Sequence, residues 1–181
     1  MSSDRNGRIV AFATVGILNV TQELAGAVLA DVDGAEPDLV AEETLCLVAT
    51  STARAAEVGL REGGPEAQEV VPALADLPFV YRDYLVGGAM LERSDPDLAQ
   101  AAAEVYERLQ RKLDFYRVHL PENQFPGEGA LLDKMSLWVG RISPPGLPET
   151  PDERLSKLDL RTPLLLHLKL VLAYCRESVN G

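Results

Sequence analysis

Few residues in this 181-residue chain are of a type that does chemistry: two histidines, His119 and His167, two cysteines, Cys46 and Cys175, and Arg161, which lies ahead of His167 with five residues between them. An imidazole gives or takes a proton near neutral pH, and a guanidinium at a helix start can steady a phosphate. Arg161 and His167 are therefore the candidate catalytic pair. Two histidines are too few for a His-rich zinc site. Neither follows a glutamate by three residues, so the Glu-x-x-His pattern of di-iron bundles is also missing. The sequence holds no Walker A phosphate loop, no Gly-x-Gly-x-x-Gly after a strand, no Cys-x-x-Cys and no nucleophile elbow. No cofactor and no metal are expected. Cys46 and Cys175 lie far apart in apolar surroundings and read as small buried hydrophobes rather than a disulfide.

The spacing of Arg161 and His167 resembles the Arg-x(4–6)-His signature of HEPN-type ribonucleases. That family consists of small helical bundles that dimerise, bring two such motifs together and cut RNA without a metal. The resemblance covers these two residues. Thr162 fits the polar position after the arginine, whereas Pro163 departs from the continuous helix of the family, and His167 sits among leucines.

Charge is unevenly distributed. Residues 21–80 carry twelve acids against Arg54 and Arg61, which accounts for nearly all of the net charge of −11. Such a surface repels phosphates and anionic lipid, so neither DNA nor a membrane is an expected partner. A basic protein partner is the functional expectation, with Glu36, Asp38, Glu42 and Glu43 as candidate partner-binding residues and the last two facing water; a solvated face that maintains solubility is the bland alternative. Arg5 and Arg8 before the apolar run Ile9–Leu18 loosely resemble a secretory leader, but Asn19, Thr21, Gln22 and Glu23 break the run, so a cytoplasmic location is expected.

These residues have to be positioned by helices. The run 161–176 is apolar on almost every side, interrupted by His167 and Lys169, with Thr162 and Pro163 suited to a helix start near Pro163. About fourteen residues between Arg161 and Arg176 are too few to span a bilayer, which needs roughly 20. Such a helix must be covered by other elements or by a second subunit. Residues 96–120 alternate apolar positions at four and three (Leu98, Ala102, Val105, Leu109, Leu113, Tyr116, Leu120), opposite a charged face containing Arg108 and Lys112. Thr150-Pro-Asp-Glu153 is a capping box, and residues 37–60 are helical from Pro37 to the Gly63-Gly64-Pro65 breaker. Pro72 and Pro78 divide the chain into short helices, followed by a helix over about 79–91 that gathers Phe79, Tyr81 and Tyr84. Residues 8–30 read as one long buried helix, with a strand over 9–18 as the alternative.

The expected fold is an all-α, single-domain bundle of about five to seven helices over residues 1–181, built around the apolar C-terminal helix, with an α+β variant if 9–18 is a strand. The expected function is that of a non-enzymatic helical assembly or adaptor protein, self-associating, with an acidic surface from residues 21–80. A metal-independent ribonuclease using Arg161 and His167 is the alternative.

Overall fold

The computed structural model describes residues 2–82, 97–127 and 130–180. It is all-α, with no strand among the described residues. Helix α1 spans Ser2–Asp31 and α2 spans Pro37–Gly59. A 3₁₀ turn at Arg61–Gly63 leads into the short helices α3 (Gly64–Gln68) and α4 (Val70–Ala75). Then come α5 (Asp97–His119), α6 (Ala130–Ile142), α7 (Pro151–Lys157) and α8 (Arg161–Asn180). Residues 77–82 are helical, and the expected gathering of Tyr84 with Phe79 and Tyr81 lies outside the described residues.

The strand at 9–18 does not form. Ile9, Ala13, Ile17, Val20, Leu24 and Val28 are all buried, and their steps of four and three define one face of a helix. A strand would have alternated those side chains between two faces. At the other end of the chain, the Thr150 hydroxyl accepts from the Glu153 amide at 3.3 Å while the Glu153 carboxylate accepts from the Thr150 amide at 2.7 Å. That closed box starts α7. It leads into α8, which begins at Arg161, two residues before the expected Pro163.

Helix α8 packs on α1 and α2, as its leucines require, but the helix enclosed on all sides is α2. Every residue from Glu43 to Ala53 is buried, and α1, α4, α5, α6 and α8 all contact this helix. Two glycines allow the close approach of α8. A Cβ on Gly59 of α2 would stand 2.6 Å from the Cys175 Cβ, and one on Gly16 of α1 would meet the His167 ring. The chain runs antiparallel between α1 and α8, since Phe12 stacks on Tyr174 at 4.5 Å between centroids while Gly16 meets His167.

One side of α8 is covered: Leu164, His167, Leu168, Val171 and Cys175 are buried. The other is open. Leu166 and Leu170 stand 57% and 61% exposed, and on α1 the side chains of Phe12, Val15 and Leu18 are exposed as well. By length and composition α1 could cross a membrane, and only 33% of its most apolar stretch is buried within the protein. The six core positions of α1 nevertheless bind it into the bundle.

Candidate functional site

The two candidate residues of the alternative, ribonuclease reading are held apart. His167 projects inward from α8 and is 7% exposed. Its Nε2 lies 2.9 Å from the Thr52 hydroxyl of α2, and that hydroxyl donates its proton to the Val48 carbonyl at 2.7 Å. The Thr52 oxygen is therefore the acceptor and His167 carries its proton on Nε2. Its other face is closed by Gly16. Burial depresses the imidazole to about 4, so the ring is neutral at physiological pH. Arg161 instead directs a guanidinium nitrogen toward Asp152 of α7 at 3.4 Å. The two side chains share no partner, and this arrangement supports a packing role for His167.

The acidic candidates divide in two. Glu36 and Asp38 are exposed at the start of α2. Glu42 and Glu43, expected to face water, turn toward α5 and α6. Glu43 is 1% exposed: its carboxylate accepts from Arg141 through Nε at 2.9 Å and Nη2 at 2.6 Å, and from the Tyr116 hydroxyl at 2.7 Å. Glu42 accepts from Arg108 through Nε at 2.8 Å and Nη2 at 2.6 Å, and from Lys112 at 2.7 Å. Arg141 also lies over the Phe115 ring, 4.3 Å from its centroid. Nearby, the Trp138 indole donates to the Thr44 hydroxyl at 3.2 Å.

Charges taken out of water persist only when closely paired, and here both carboxylates are held by two-pronged arginine bonds. Burial pushes Glu42 up, but the hydrogen bonds from Arg108 and Lys112 outweigh it and hold its carboxyl below the ordinary value. The hydrogen bond to Glu43 raises Arg141, whereas burial and then the Glu43 charge raise Tyr116. Burial likewise raises both thiols, Cys175 to about 12, so neither is a thiolate nucleophile at neutral pH. The network thus joins α2, α5 and α6 in one register, with its ionised members committed to one another. Lys112 leaves the solvated face expected of it to reach Glu42, whereas Arg108 stays exposed at the edge of that face while pairing with the same carboxylate.

Arg141 and Thr52 were not singled out by sequence, and Tyr116 and Lys112 entered only as an apolar-face and a charged-face position of the same helix. A signal existed for Glu43: Val40, Glu43 and Leu47 follow a three-then-four step along the apolar stripe of α2. Nothing in the sequence identified Arg141 as its partner.

Among the described residues no group of three His, Cys, Asp or Glu side chains is placed to hold a metal. A surface depression of about 400 Å³ between α1 and α4 is lined by Asn6, Gly7, Val10, Ala11, Glu69 and Val70. Asn6 there donates to the Glu66 carbonyl at 2.7 Å, and no acid–base pair or nucleophile converges on the depression. Comparison with protein families, with curated proteins and with solved structures finds no match.

What remains open to a partner is the surface. Phe12, Val15 and Leu18 are exposed on α1, and Leu166 and Leu170 are exposed on α8, which packs against it. The two helices are fixed against each other by the Phe12–Tyr174 stack and the Gly16–His167 contact, so these side chains form a rigid face.

Proposed function

We propose that this chain is a non-enzymatic helical assembly protein that self-associates and presents an acidic surface to a basic protein partner. The observation that carries this is the open apolar face of α1 and α8. Five large apolar side chains between 40% and 61% exposed lie on two packed helices. Exposed large apolar side chains gathered on neighbouring helices point to an interaction site, whereas singly scattered apolar residues need no explanation. The buried ion-pair network and the enclosed His167 support the same reading from inside: they fix helices rather than receive a substrate.

The acidic surface is narrower than the count of acids suggests. With Glu42 and Glu43 committed to α5 and α6, and Glu57 and Asp76 paired with Arg54 and Arg117, its exposed members include Glu36 and Asp38 together with Asp33, Glu62, Glu66 and Glu69. Attraction at such a surface is screened within about 10 Å at 0.1 M salt.

Sedimentation equilibrium tests self-association, and the expected result is an average mass that rises with protein concentration. A monomer throughout overturns self-association. For the acidic surface, the chain is expected to bind a lysine-rich peptide in a salt-sensitive way that Glu36→Lys with Asp38→Lys weakens. Binding unaffected by both salt and substitution would exclude that role.

A further inference from the structure

The exposed side of α1 carries no ionisable residue between Arg8 and Glu23. On α8 the one exposed charged residue between Thr162 and Cys175 is Lys169. In a chain of net charge −11, a strip so poor in charge gives two copies little to repel each other with. Its apolar side chains run lengthwise along α1, with Phe12 and Leu18 on either side of Val15.

The charges that bracket this strip are opposite in sign. Arg8 and Glu23 are both exposed, and the point midway between them falls between Val15 and Gly16. Two copies of α1 laid antiparallel across a two-fold axis at that midpoint place Arg8 of each copy opposite Glu23 of the other. At 1.5 Å per residue each charge lies about 11 Å from the axis. A shallow crossing of about 20° separates the helices laterally by only about 4 Å at that distance, within reach of an arginine and a glutamate side chain. A two-fold contact is self-complementary, so the single strip supplies both halves of the interface and the ion pair occurs twice. Arg8 is engaged within the chain by Asp4 at 2.8 Å, an exposed i,i+4 contact that is easily exchanged.

Resting on the self-association reading, we propose that the occupant of this face is a second copy of the chain, docked with the two α1 helices antiparallel about Val15 and Gly16 and with Arg8 paired to Glu23 across the axis. Leu166 and Leu170 of α8 widen the apolar contact on the side where Phe12 stacks on Tyr174.

Charge reversal tests the geometry, measured by sedimentation equilibrium at low salt with circular dichroism to verify folding. Arg8→Glu alone, or Glu23→Arg alone, sets like charges together twice and is expected to weaken dimerisation about tenfold. Combining the two restores the opposite pairing, and dimerisation is expected to return to within about threefold of the parent. A combined variant no tighter than the singles overturns this docking geometry, even where the parent's concentration dependence shows that it self-associates. A parent that is monomeric throughout removes self-association itself. Should the parent be monomeric and bind phospholipid vesicles through a contact that Val15→Glu abolishes, the face belongs to a lipid surface and the proposal is overturned.

Discussion

Lowering the pH should loosen this bundle through one side chain, His167. Its ring is enclosed between Gly16 of α1 and Thr52 of α2, and its Nε2 already bonds the Thr52 hydroxyl. A second proton would sit on Nδ1, which makes no hydrogen bond among the described residues. Burial lowers the folded-state value to about 4, against about 6.5 when the side chain is solvated. Between those values the unfolded chain binds a proton that the folded chain refuses. Stability from this group is therefore complete above about pH 6.5 and is lost as pH falls toward 4. At about 1.4 kcal/mol per pH unit the loss is about 3 kcal/mol over that window. Urea unfolding of the parent and of His167→Gln, followed by circular dichroism at intervals from pH 7.5 to 4, measures it. The glutamine amide can take the place of Nε2 and does not titrate. Carboxylates titrate in both proteins, so the difference in slope isolates the histidine. Equal slopes for parent and variant would refute the enclosed, neutral imidazole.

Two further substitutions probe the interior. Gly16→Ala places a methyl within about 2.5 Å of the pinned His167 ring; overpacking at about 1–3 kcal/mol should exceed the ~1 kcal/mol gained in helix propensity, seen as a lower urea midpoint that His167→Ala partly relieves. Glu43→Gln keeps the shape but leaves Arg141 without its counter-charge, and a loss of about 3 kcal/mol is expected, at the low end for a broken buried pair because Arg141 reaches solvent. An unchanged unfolding midpoint for Glu43→Gln would mean that the ion pair contributes no stability.

The architecture was legible wherever one helix carried its own evidence. The apolar steps of four and three in α5, the capping box at Thr150 and the helix start at Pro37 are local signals, and each element formed where its signal lay. Residues 9–18 were ambiguous because β-branched side chains in an unbroken apolar run satisfy a strand and a helix equally. Burial of Ile9, Ala13 and Ile17 on the face that α1 turns to the bundle resolved them, and such contacts are long-range. The fate of Glu42 and Glu43 was illegible for the same reason: a carboxylate on an acidic stretch reads as solvated until α5 and α6 bring Arg108, Lys112 and Arg141 to it. In α8 the near-uniform apolarity was real, but composition could not tell which leucines the bundle would cover. Leu164 and Leu168 went inside, whereas Leu166 and Leu170 remained outside.

Those outward leucines and their neighbours on α1 carry the central claim. Sedimentation equilibrium of the parent beside a Val15→Glu, Leu170→Glu variant is the most direct test, since both positions are exposed and the variant should fold with unchanged helicity. The account predicts a parent whose mass rises toward the dimer with concentration and a variant that stays monomeric over the same range. A variant that associates as tightly as the parent would contradict it.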